Sequence, residues 1–177
     1  MPIPKPLIGS ISRLVGIDGV GKAGKSTRNA IFLADSKETV SQKVRLMPTC
    51  PLKIKRTDRV QLNWDRDLNQ IFLASADAEP FIHVPLTYIA AFGGIEETNH
   101  LLNDYCRGEI GDIEIKKRLL EILAETLDPI QERLRRIDAG KALEIFIESS
   151  RQYREIAVVT LDEVKTGLGF GRKAYQR

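Results

Sequence analysis

The sequence predicts a mainly α protein that opens with a short β and loop segment, and two observations carry that expectation. Over roughly the last eighty residues, apolar side chains recur every three or four positions, the spacing of one helix face. Strand-like runs, by contrast, are confined to two short stretches on either side of a glycine-rich loop near the amino terminus.

Taken in order, "SRLVGI" (Ser12–Ile17) is a short apolar run read as a strand, and the glycine-rich loop follows it. "NAIFLA" (Asn29–Ala34) is a second short run, more strand-like than helical. "DSKETVSQKVRLM" then reads as a helix. Asp35 is placed to cap it, Glu38 to complete a capping box, and Val40, Val44 and Met47 form its apolar stripe. Pro48 and Pro51 stop it. From Leu52 to Pro80 the pattern is mixed, basic at first in "KIKRTDR", and predicts no element. "PLTYIAAF" opens a short helix ended by Gly93 and Gly94. Further on, Ile115, Leu119, Ile122 or Leu123, Leu127, Ile130, Leu134 and Ile137 give a wide apolar face with Lys, Arg and Glu opposite. Pro129 predicts a kink or break near Leu127 to Asp128. After Gly140, Leu143, Ile147, Tyr153, Ala157, Leu161, Val164 and Leu168 mark another helix, with Gly167 as its C-cap. The carboxyl half is therefore predicted to be a helical bundle.

Composition bounds the function classes. A chain of 177 residues with 42% apolar content can bury one substantial core, or the tail of one domain plus a small second one. A net charge of +3 permits a polyanionic partner without demanding one. Cys50 and Cys106 lie far apart and outside any metal-ligand spacing, as expected of reduced thiols in a cytoplasmic protein. No apolar run approaches the ~20 residues of a membrane span, and "MPIPKPLIGS" has no apolar core of a secretory signal. That proline-rich connector runs into a strand with no earlier element to pair with, and so reads like the middle of a protein.

The candidate site is "GVGKAGKS" (Gly19–Ser26). Gly19, Gly24, Lys25 and Ser26 fit the P-loop spacing. A P-loop needs a helix starting at its Lys-Ser pair, because backbone N–H groups there hold the phosphates. "TRNAIFLA" does not supply one, and the acidic positions available for magnesium, Asp77 and the pair Asp162 and Glu163, are weak. The match reads as a coincidence of spacing. The same residues also fit K-x-x-K-S, in Lys22, Lys25 and Ser26.

Read that way, "KAGKS" resembles the KMSKS loop of class I aminoacyl-tRNA synthetases, and its surroundings narrow the resemblance to tryptophanyl-tRNA synthetase. "IPKPLIG…RLVGIDG" is similar to that family's lead-in. "NAIFLADSKETVSQKVRLMPT" is similar to its run from loop into helix, and "RGEIGDIEIKKRLLEILAETLDPIQERLRRI" to a later helix. The resemblance covers most of Ile3 to Leu168 and is weakest over Gln61 to Ile82. It implies that residues 1–34 are a remnant of a Rossmann-type catalytic domain with its KMSKS-like loop. Residues 35–177 would be a helical, anticodon-binding-like domain that meets tRNA. It further implies ATP, with magnesium, as the ligand of Lys22, Ala23, Gly24, Lys25 and Ser26, with the backbone near Leu14 against the adenine and no protein metal ligand. Lys22 and Lys25 would be the catalytic cations: as a carboxylate attacks the α-phosphate, charge gathers on the leaving pyrophosphate, and flexible ammonium groups stabilise it.

The same resemblance sets limits. The HIGH motif and the indole pocket belong to the family's amino-terminal half, and neither His83 nor His100 sits in a substitute for it; both read as ordinary structural or surface histidines. The expectation is a carboxyl-terminal fragment, truncated and inactive alone, which binds ATP weakly and is partnered by tRNA and by a separate amino-terminal half or further copies of itself, away from membranes. Four positions depart from the family pattern: Ala23 and Gly24 loosen the loop, and Cys50 and Ala91 stand where carboxylates are usual. Two rivals remain. One is a helical RNA-binding or interaction module using Lys53, Lys55, Arg56, Arg59, Arg133, Arg135 and Arg136; the other is a small P-loop protein with a parallel sheet.

Overall fold

The structure, a computed structural model, describes residues 13–73 and 81–170 together with Ile3, Lys5 and Ile11. Most of the proline-rich lead-in and Asp77 lie outside the described residues. Five helices and one antiparallel hairpin follow one another: α1 (Lys37–Leu46), β1 (Leu62–Asp65), β2 (Gln70–Leu73), α2 (Val84–Phe92), α3 (Ile95–Arg107), α4 (Asp112–Arg135) and α5 (Ala139–Gly167). Helix takes up about half of the chain, so the mainly α expectation holds. No helix of the described residues is long and apolar enough to cross a membrane.

The chain divides into two compact units, Met1–Gln131 and Glu132–Arg177. In the first, Val15 joins Val40, Val44 and Met47 of the first helix region, Ile71 and Leu73 of β2, and the inward faces of α2 and α4 in one core. α1 buries the predicted stripe, with Val44 at 0% exposure, and Met47 caps its end. Its start differs from expectation. Ser36, not Asp35, is the N-cap and accepts from Thr39 N–H at 3.2 Å. Asp35 is occupied elsewhere: it accepts from Phe32 N–H at 2.8 Å and pairs with Lys43, whose Nζ also reaches the Ala30 carbonyl at 2.8 Å. The side chain that packing claims first is not free to cap.

Neither amino-terminal strand forms as read. Val15 makes a single antiparallel bridge to Lys22, and Asn29–Ala34 is irregular, ending in a turn that closes from Phe32 to Asp35. The hairpin lies where no element was expected. Leu62 pairs with Leu73 and Trp64 with Ile71, and the connection turns on Asp65, whose Oδ1 accepts from Asp67 and Leu68 N–H, and on Asn69 at φ 49°. Its β2 is extended by Phe81 and His83, which bond back to Leu73 and Ile71.

α2 packs on β2 and α3, and it stops at Gly93 as predicted. α4 buries Ile115, Leu119, Ile122, Leu123 and Leu127 as predicted, while Ile130 and Leu134 beyond them are exposed. The helix does not break at Pro129 but continues to Arg135. α5 starts at Asp138, whose side chain accepts from Lys141 N–H, and runs through Gly167 to a cap at Leu168, with Gly169 taking the left-handed turn (φ 80°). Gly167 is thus the last helical residue, not the cap. In the second unit α5 leaves its apolar residues exposed except Val164, which is partly covered, and it buries none of its described residues.

Candidate functional site

The lysine loop is a tight antiparallel return of the chain. Ala23 N–H donates to the Leu14 carbonyl at 2.9 Å, Val15 faces Lys22, and Gly16 N–H reaches the Gly21 carbonyl at 3.3 Å. The bend between them uses Gly19 and Gly21 at positive φ, 78° and 58°, where a side chain would be strained. Its stem is fixed from below: Tyr88 of α2, fully buried, donates its hydroxyl to the Val15 carbonyl at 2.9 Å. Burial and the nearby Asp18 charge push that phenol well above its ordinary pKa, so it stays a donor.

Of the six residues proposed to contact ATP, the structure therefore brings Leu14 and Ala23 into direct contact and sets Lys22 beside them. Gly24 N–H is held at 3.0 Å by the Asn29 carboxamide, and Lys25 and Ser26 occupy a turn that closes from Lys25 to Arg28. Lys22, Lys25 and Ser26 are exposed, and among the described residues neither lysine makes an ion pair. The P-loop alternative fails here. No helix begins at Lys25 or Ser26, the first one starting at Lys37, and the sheet of the described residues is antiparallel.

The other candidates divide. His83 is a buried structural residue whose side chain caps α2, and His100 is a surface residue 3.1 Å from Asp104. Lys53 is not available to RNA: it is 7% exposed, donates to the Asp58 and Tyr105 carbonyls at 2.7 and 2.9 Å, and lies 4.5 Å over the Tyr105 ring. Arg56 pairs with Glu114 and donates to the Glu109 carbonyl. Lys55, Arg59, Arg133 and Arg135 are exposed.

The chain belongs to the family described as "tRNA synthetases class I (W and Y)", whose family model matches residues 1–128. Within it the similarity is to tryptophan–tRNA ligases, as the sequence resemblance implied. That of Clostridium longisporum is 37% identical over 171 residues, covering 94% of this chain and 45% of the relative. That of Aquifex aeolicus is 34% identical over 170 residues, covering 94% and 38%. That of Streptococcus agalactiae is 34% identical over 162 residues, covering 89% and 42%. The chain thus spans less than half the length of these curated relatives.

Sequence reasoning missed Asn29 as part of the site. In the sequence it opens the second apolar run and the family-like stretch from loop into helix, and nothing there marks it as the buried centre on which the loop is built. The polar cluster of His83, Tyr105 and Asp112 was missed too, because its members are far apart in sequence and meet only through packing.

Proposed function

We propose that this chain carries the phosphate-recognition loop and the tRNA-facing helices of a tryptophan–tRNA ligase, whose whole reaction is the ATP-dependent joining of tryptophan to its tRNA. In this reading residues 1–34 are the end of a Rossmann-type catalytic domain and residues 35–177 the helical part that meets the anticodon region. Lys22 and Lys25 offset the charge that builds on the leaving pyrophosphate, Ser26 donates a hydroxyl hydrogen bond, and the Leu14–Ala23 backbone forms a wall for the adenine. The observation that supports it most is a pair of exposed lysines, without an ion pair among the described residues, on a braced loop inside the family match.

Two exposed cations in water attract a phosphate chain only modestly, so binding by the 177-residue chain is expected near roughly millimolar ATP and to weaken as salt rises. Calorimetric titration tests this, with Lys22→Ala and Lys25→Ala each expected to weaken binding about threefold to fivefold. Affinity indifferent to both lysines would overturn the reading.

A further inference from the structure

Among Arg13, Asp18, Lys22, Lys25 and Arg28, the loop region holds a single carboxylate, Asp18, among four cations. Coulomb attraction alone would swing that carboxylate onto a lysine and neutralise part of the site. The structure has it turned the other way. Both Asp18 oxygens accept from Asn29 Nδ2, at 3.1 and 3.2 Å, and Oδ1 also accepts from Val20 N–H at 3.0 Å.

Asn29 is 5% exposed while the loop residues around it are open, and its carboxamide is used at both ends. Oδ1 accepts from Gly24 N–H and from the Thr27 hydroxyl, on either side of Lys25. Nδ2 holds Asp18 and faces the Val20 carbonyl at 3.3 Å, ahead of Lys22. Room for this arrangement depends on Gly16: a Cβ there would lie 2.1 Å from Asn29 Nδ2 and 2.5 Å from Asp18 Oδ1. An exposed turn serving only to connect two elements has no need of a buried amide that sequesters its one acid.

We propose that Asn29 is a positioning residue that holds the Asp18 carboxylate away from Lys22 and Lys25 and pins the backbone at Gly24, leaving both cations open to a phosphate chain. The assignment rests on the phosphate-loop reading above. It acts through Asp18 and the loop backbone, with no direct contact to the phosphates required.

The test is a double-mutant cycle on the full chain, titrated with inorganic tripolyphosphate at low salt: wild type, Asn29→Ala, Asp18→Asn and both together. Asn29→Ala is expected to weaken binding about fivefold, because a freed Asp18 competes for the lysines. Asp18→Asn alone is expected to change affinity less than about twofold, since its charge is already held apart, whereas the same change in the Asn29→Ala background recovers most of the loss. A residue that merely props the loop gives no such recovery, because removing Asp18 takes away a further brace. Helical circular dichroism is expected to be unchanged in all four, as the first helix starts at Lys37. Loss of helix in Asn29→Ala would assign the residue to the fold and overturn the proposal. Wild-type binding with coupling below about twofold would overturn the role of Asn29 alone, while a wild type that shows no salt-dependent binding would overturn the phosphate-loop reading itself.

Discussion

His83 is fully enclosed, and every group around it bears on its charge. Its Nδ1 accepts from Leu86 N–H at 3.3 Å, so that nitrogen is unprotonated, while Nε2 lies 3.7 Å from Asp112 Oδ1 without a hydrogen bond. Tyr105 stands edge-on at 4.8 Å and gives its own hydroxyl to Asp112 at 2.6 Å. Burial holds the imidazole below its ordinary pKa, against the pull of Asp112 and with some help from Lys116. For Asp112, burial works toward a higher pKa, but the neighbouring His83 imidazole, the Tyr105 hydroxyl bond and nearby Thr49 outweigh it and hold the carboxyl below its usual range. With the histidine depressed in the folded state, the unfolded chain takes up its proton first. The stabilisation is therefore complete above the unfolded value, about 6.5, and is lost as pH falls from there toward the folded value. Asp112 contributes in a separate window, below about pH 4. Urea midpoints are expected to drop between about pH 7 and pH 5. His83→Asn, which keeps an acceptor for the α2 cap, is expected to flatten that drop, and an unchanged slope would refute the assignment.

At the scale of elements, α4 tolerates a proline that interior helix positions usually exclude. Pro129 has no N–H to give the Glu125 carbonyl, yet it sits on an exposed face and the buried contacts of Leu119, Ile122, Leu123 and Leu127 hold the helix in front of it. Pro129→Ala is expected to raise stability by about 1–3 kcal/mol in urea unfolding, since the missing bond returns and no buried contact is touched. A neutral or negative change would show that the ring packs usefully. The same helix shows what was legible in the sequence. Its buried stripe, that of α1 and the glycine stop of α2 follow from periodicity and chain-ending residues, which are local. The hairpin was not legible: each strand is four residues long, and its turn depends on Asp65 side-chain bonds and a left-handed Asn69, inside a stretch otherwise charged and irregular. Capping was half legible, because Asp35 and Ser36 are both competent and only the pairing with Lys43 decides between them. In the candidate site, the two lysines and the serine stand out in the sequence by their spacing. Asn29 could not, since its partner Asp18 is 11 residues away and meets it only when the loop folds back.

For the whole molecule, the helical stretch of the carboxyl half and the core-bearing part before it are organised differently. The first unit has a buried core, whereas α5, the longest helix at 29 residues, exposes Phe146, Tyr153 and Leu161 and buries none of its described residues. Helices without buried faces depend on their own backbone bonds and open at low free energy. Helical circular dichroism is accordingly expected to begin falling in urea before the first unit unfolds. The means of seeing this lies in β1. The chain has one tryptophan, Trp64, half-buried in the hairpin with the Arg66 guanidinium 5.1 Å from its ring centre. Its emission responds to the first unit only, while ellipticity sums both. The protein thus contains a built-in spectroscopic reference: the gap between the two melting curves reads out the cooperativity between its halves with no label attached, and coincident curves would mean that they unfold as one.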